Sequence, residues 1–228
     1  MEKIKKWLEN YWYHYKWATI IVLFFVTVFA IGIYQMASKS DYDTQIVYAG
    51  PVILMSEDQV EGVSDAFEAI LPSDYDEDGD KTILLHDFTI LSDEQYQQKL
   101  EEAEGALAFD PSTRTNYIQS IMTLYSTGES SISLLDPYVY NIFRRQDAFV
   151  PLAEVLGEKP EYALDDYTVR LSDTPFGQYF GSLDALPEDT VLCFRKASQL
   201  STSDKVKAQY EFDRKLFAAI FTFEPPEL

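Results

Sequence analysis

The run from Trp17 to Met36, WATIIVLFFVTVFAIGIYQM, holds 20 residues without a charge. As a helix rising about 1.5 Å per residue it is roughly 30 Å long, the thickness of a bilayer's hydrocarbon layer. A buried core helix would be shorter or polar on one face, and the hydroxyls of Thr19 and Thr27 are free to bond back to helix carbonyls. The spacing predicts a transmembrane helix over 17–36. The candidate exit YQMASKS follows a full-length span, unlike the shorter apolar region of a cleavable signal, so the helix is expected to stay as an anchor. No cysteine lies near it to carry a lipid.

Lys3, Lys5, Lys6 and Lys16 precede the span, and only Lys39 follows it before Asp41 and Asp43. This asymmetry predicts a cytoplasmic amino terminus and an extracytoplasmic remainder. Residues 1–16 are then a cytoplasmic basic and aromatic segment. Trp7, Trp12 and Trp17, with Tyr11, Tyr13 and Tyr15 between them, read as an interfacial belt that fixes the depth of the helix. About 16 residues leave room for only a short interfacial helix before the span. Residues 37–43 read as a linker and 44–228 as the extracytoplasmic domain.

Of the 18 basic and 38 acidic side chains, five Lys and two Glu lie in residues 1–39, leaving 13 basic against 36 acidic for the rest. Such a surface has no basic stripe to follow a phosphate backbone, which excludes nucleic acid as a partner. The 46% hydrophobic content is ample for a core. Cys193, the lone cysteine, sits inside the apolar run TVLCF and reads as a buried, inert thiol.

Strand and helix periods alternate along the domain. Strands are expected at 44–50, 81–91, 131–136, 167–172 and 189–196 from β-branched and apolar runs. Helices are expected at 56–71 behind the cap Ser56, at 92–105 with closure by Gly105, at 111–129, at 137–145 and at 203–223. Residues 106–109 fit either a short strand or the end of the preceding helix. The alternation predicts an α/β fold: a mainly parallel sheet with helices on both faces.

At YSTGESSISLLDPYVYNIFRRQDAFVPLAEVL (125–156) the order is helix, glycine turn, apolar strand ending in Asp, short helix and a PLAE segment. This order resembles the first lobe of extracellular solute-binding proteins of the type 2 periplasmic-binding-protein fold. The loop DYDEDGD (74–80) is similar to the Asp-Gly-rich loops of shortened, membrane-anchored relatives from Gram-positive bacteria. The resemblance implies a single lobe, because the ten residues between Leu156 and Tyr167 leave no room for a second. It implies a non-enzymatic binding or interaction module at the membrane, whose partner is a small solute or another envelope protein. An accessory or scaffold subunit of an envelope or transport complex is the alternative.

In an open parallel sheet the natural crevice lies at the carboxyl ends of the strands. That places candidate ligand-binding residues at Gly50, Pro51, Asp136 and Tyr138. In the acidic loop, Asp74, Asp76 and Asp78 match positions one, three and five of a calcium loop, Gly79 the sharp turn, and Asp80 a backbone carbonyl ligand. The twelfth position, which should be a bidentate Glu, is Leu85, so a carboxylate from elsewhere, such as Asp87, is needed. A structural calcium ion is the one cofactor candidate, and a solvated turn is the alternative. Clustered carboxylates favour either.

No catalytic constellation is expected. Cys193, His86 and Arg195 are the residue types of a sortase-like cysteine transpeptidase. However, Leu192 stands where that motif has Thr, and a thiolate in an apolar strand is costly. His86 and Asp87, adjacent on a strand, point to opposite faces and cannot act as a pair.

Overall fold

The computed structural model describes residues 2–37, 42–52, 56–102, 111–198, 200 and 203–226. The chain separates into two compact units, Met1–Asp41 and Tyr42–Leu228. The undecided segment 106–109 and the closing Gly105 lie outside the described residues.

The first unit is one helix, α1 (Glu2–Ala37). Within it Tyr11–Ile31 is long and apolar enough to cross a membrane, and none of that stretch is buried against protein. The aromatic segment is not a separate short helix. It forms the opening turns of α1, where Trp7 stacks on Tyr11 and Tyr11 contacts Tyr15, each pair four residues apart. Rings at that spacing share a helix face, so these aromatic pairs support the helix. Thr19 and Thr27 donate to the carbonyls of Tyr15 and Leu23, so both hydroxyls are bonded within the helix.

The second unit is a five-stranded sheet between two layers of helices. Its strands are β1 (Thr44–Gly50), β2 (Ile83–Thr89), β3 (Ile132–Leu135), β4 (Thr168–Arg170) and β5 (Val191–Phe194), in the order β2-β1-β3-β5-β4. β1 pairs in parallel with β2 and β3, whereas β5 runs antiparallel to β3 and β4. Four strands thus point one way and β5 alone is reversed. The reversal comes from residues 171–190, which leave β4 and re-enter β5 side by side: the Leu171 amide donates to the Thr190 carbonyl at 2.9 Å.

The helices are α2 (Glu57–Glu68), α3 (Asp93–Glu102), α4 (Pro111–Thr127), α5 (Pro137–Arg144), α6 (Leu152–Leu156), α7 (Pro175–Tyr179) and α8 (Asp204–Phe221). Ser56 caps α2 through a capping box with Gln59, and Asp136 caps α5 ahead of Pro137. One core joins Ile46, Tyr48, Ile132, Leu134, Leu192 and Phe194 of the sheet to Phe67 of α2, Phe176 of α7 and Leu216 and Phe217 of α8. The other joins Val47, Ala49, Leu135 and Cys193 to Ile121 and Tyr125 of α4 and Val139 and Phe143 of α5. Alternate residues of β1 feed the two cores, as a strand covered on both faces requires.

Candidate functional site

The sheet has two polar ends. At the amino ends of β1 and β2 lies the acidic loop. Asp74 accepts the amides of Glu77 and Gly79, Asp76 that of Asp78, and Asp78 that of Asp80. The first two bonds hold the Asp74 carboxyl below its ordinary pKa, with the Gly79 amide the largest cause. Asp76 is shifted the other way, by desolvation first and then by the charge of Asp78. Glu77 takes a positive φ of 61° and Gly79 one of 103°, the left-handed geometry that the glycine admits without cost.

Asp43 completes this end. It is fully buried, its carboxylate accepts the Tyr75 and Thr82 amides from the two flanks of the loop, and its carbonyl accepts Gln209 Nε2 of α8. Carboxylate oxygens of Asp43, Asp74 and Asp76 lie within 4.8 Å of one another, and Asp78 stays outside this group. The carboxylate brought from elsewhere is therefore Asp43, not Asp87. Asp87 stands beside Tyr48 near the far end of β2, four residues on from Ile83, or about 13 Å along the strand. Nothing local in SKSDYD marks Asp43 as buried, so from sequence it falls in the linker.

At the carboxyl ends, a crevice of about 460 Å³ opens between α3 on one side and Pro51, Val52 and Pro187 on the other. α3 contributes Gln95, Gln98, Lys99 and Glu102 to its wall and buries none of its residues. A mostly polar helix directly after a strand is the sequence signal for these residues. Gln95 Nε2 donates to Asp136 Oδ2 at 2.8 Å, while Asp136 Oδ1 accepts the Tyr138 amide at 2.7 Å. Asp136 is buried, and desolvation raises its carboxyl above the usual range.

The four expected ligand residues divide. Pro51 lines the crevice and Asp136 is tied to its wall. Gly50 is buried and does a different job: a Cβ there would lie 2.5 Å from the Tyr48 hydroxyl, so only glycine lets the Tyr48 ring lie across the strand end. Tyr138 gives Asp136 its amide, but its ring packs with the core on the α4 side.

The transpeptidase arrangement does not form. Cys193 is fully buried, its thiol faces the Ser133 carbonyl at 3.7 Å, and burial pushes its pKa well up. His86 aligns with Val47, Val47 with Ser133 and Ser133 with Cys193, so histidine and thiol stand three strands apart, about 14 Å. His86 instead bonds Gln45 at 2.8 Å, and desolvation lowers its pKa. Arg195 is buried and spends its donors on the Ser130 and Lys196 carbonyls. A search with the chain finds no matching family model, curated protein or solved structure.

Proposed function

We propose that this chain is a single-pass membrane protein whose α/β unit is an extracytoplasmic, non-enzymatic solute-binding module, with the strand-end crevice as its site. The apolar helix serves as the anchor, with the amino terminus in the cytoplasm as the lysine asymmetry requires. One observation carries the reading. A polar helix with no buried residue walls a crevice at the carboxyl ends of the strands, and its Gln95 reaches the buried Asp136. Concave, part-polar sites at that end of an open sheet are where such folds take small molecules. A single lobe does not enclose its ligand, so the affinity is modest and the crevice is suited to reporting a solute, not storing it. In the same reading a calcium ion at Asp43, Asp74 and Asp76 props the fold at the opposite end and never meets the solute.

The test is thermal melting of the full chain in detergent against free amino acids, sugars and short peptides. A solute should raise the melting temperature, and Gln98→Trp, which fills the crevice from an exposed position, should abolish the rise. A panel without effect on the parent overturns the solute reading. External protease on intact cells should remove the α/β unit; protection of that unit overturns the topology.

A further inference from the structure

The face that α3 turns to the crevice is not the face a helix ordinarily packs. Gln98, Lys99 and Glu102 stand three, four and seven residues after Gln95, and all four line the crevice. That spacing is the stripe which, on a helix docked to a core, is apolar. Here it carries two amides and two opposite charges. Gln95 is committed to the fold: its Oε1 accepts the Ser92 amide at 2.8 Å and its Nε2 donates to Asp136. Lys99 and Glu102 are placed for an ion pair along the helix, yet among the described residues neither makes one. One cation and one anion thus line the same crevice, each without a counterion.

The opposite wall is apolar and already fixed. Pro51 and Val52 follow β1, and Pro187 lies shortly before β5. The Gly50 carbonyl accepts the Ile90 amide at 2.8 Å, the Val52 carbonyl accepts Thr89 Oγ1 at 3.0 Å, and the Pro187 carbonyl accepts the Thr190 amide at 2.9 Å. The two prolines have no amide to offer a ligand. This wall therefore presents apolar surface, and little freedom is lost when a solute lies on it.

We infer that the strand-end crevice takes a small zwitterion with an apolar body, an α-amino acid with an aliphatic side chain. This rests on the crevice being a solute site, as proposed above. Lys99 donates to the carboxylate and Glu102 accepts the ammonium group, while the Gln98 amide has a donor and an acceptor for either. The aliphatic side chain lies on Pro51, Val52 and Pro187. An α-amino acid carries both charged groups on one carbon, which suits two partners on one helix face about a turn apart. A solute with a single charge meets one partner and is opposed by the other. A sugar leaves both charges unmet and turns hydroxyls to a wall that cannot bond them all.

The test is ligand-observed NMR titration of the full chain in detergent with four probes. They are leucine, glycine, 4-methylpentanoate, which is leucine without its ammonium group, and 3-methylbutylamine, which is leucine without its carboxylate. Leucine should bind saturably. Charge contacts in an open crevice are partly screened, so each single-charge analogue should bind about threefold weaker or more. Glycine, which lacks the apolar body, should bind about tenfold weaker or more. Lys99→Gln should weaken leucine and 4-methylpentanoate but not the amine, and Glu102→Gln should weaken leucine and the amine but not the carboxylate. Because α3 buries none of its residues, both variants should melt with the parent. A loss of folding would not produce that crossed pattern. Leucine binding that is unchanged in both variants, or that either single-charge analogue matches, overturns the zwitterion class. Another solute of the broader panel that binds and is lost in Gln98→Trp, with leucine inert, also overturns it and leaves the crevice a solute site. A chain that binds none of these probes and nothing in the broader panel overturns both.

Discussion

The two ends of the sheet are both rich in oxygen and treat it in opposite ways. At the amino end the carboxylates of Asp43, Asp74, Asp76 and Asp78 all accept backbone amides from their own chain. At the carboxyl end, Tyr48, Asp87 and Thr190 keep buried oxygens without partners. Satisfied polar groups hold a fold, whereas unsatisfied ones weaken it and persist where something else uses them. The same sheet is thus fastened at one end and left open to bonding at the other.

The largest effect should come from cutting the fastening. Asp43→Ala removes the buried carboxylate that receives the Tyr75 and Thr82 amides and leaves both half-buried donors without it. Hydrogen bonds to a charged group are worth about 1.5–3 kcal/mol each, so the variant should lose about 3–5 kcal/mol in urea unfolding. At about 2–4 °C per kcal/mol for a domain of this size, the melting temperature should fall by roughly 6–20 °C. A loss under about 1 kcal/mol would break the comparison, because the amino end would then not be fastened by Asp43.

Asp213 is the exception that sharpens it. This fully buried residue of α8 accepts Thr44 Oγ1 and Gln209 Nε2 on Oδ1 and nothing on Oδ2. Desolvation pushes its pKa up from 3.8 to about 6, while the bonds from Thr44, Gln209 and Ser131 and the charge of Arg195 pull it back. An unpaired oxygen there is a proton site. An acid with a raised folded-state pKa binds its proton more tightly folded than unfolded. Its contribution is therefore complete below pH 3.8, declines as pH rises, and is gone above about 6. At 1.36 kcal/mol per unit this is about 3 kcal/mol. Urea unfolding at pH 3 and pH 7 should show the parent losing about 3 kcal/mol more than Asp213→Asn, since other groups cancel in the difference. Equal losses would mean that Asp213 stays charged and paired, like its neighbours at that end.

Calcium should act on the amino end alone, and more weakly. Three carboxylates are a minority of the six to eight oxygens that calcium takes, which suits a millimolar site. At about five times its dissociation constant the ion adds about 1 kcal/mol, or roughly 2–4 °C. Asp76→Asn should remove that increment without moving the apo melting temperature by much, because Asp76 is not buried and its bond to the Asp78 amide is long at 3.3 Å. A parent indifferent to calcium leaves the loop closed by its own amides.

Much of the fold was legible because its signals are local. Ser56 with Gln59, Asp136 with Pro137, and the apolar runs of β1, β3 and β5 each specify an element from a few adjacent residues. The direction of β5 was not, since it is decided by the path of residues 171–190, where α7 is too short to carry a period. The site followed the same division. DYDEDGD announces a turn, but its missing carboxylate is Asp43, 31 residues before Asp74 and in a stretch that reads as linker. Tyr48 and Asp87 sit on strands, where an aromatic reads as core and an acid as surface. Only pairing β1 with β2 brings them side by side.

The smallest shift in stability, and the one most telling for the comparison, belongs to Tyr48→Phe. Deleting a hydroxyl that makes a hydrogen bond costs about 1 kcal/mol, whereas deleting one that is buried without a partner relieves a desolvation penalty. Burial raises the pKa of Tyr48 far above that of an ordinary phenol, the Val52 backbone pulls it back, and the charges of Asp87, Asp136 and Asp189 add to the rise, so the group stays protonated; the Val52 amide can only donate to its oxygen, and its proton has no acceptor at hydrogen-bond distance. The variant should therefore melt unchanged or up to about 2 °C higher. The same deletion at the other end, Thr44→Val, removes a 2.6 Å bond to Asp213 and should lower the melting temperature by several degrees. Two hydroxyls on one strand, four residues apart, would then respond with opposite signs. Equal destabilisation by both would mean that the Tyr48 oxygen is already paired in the folded chain, and the carboxyl end would lose its claim to be held open for a ligand.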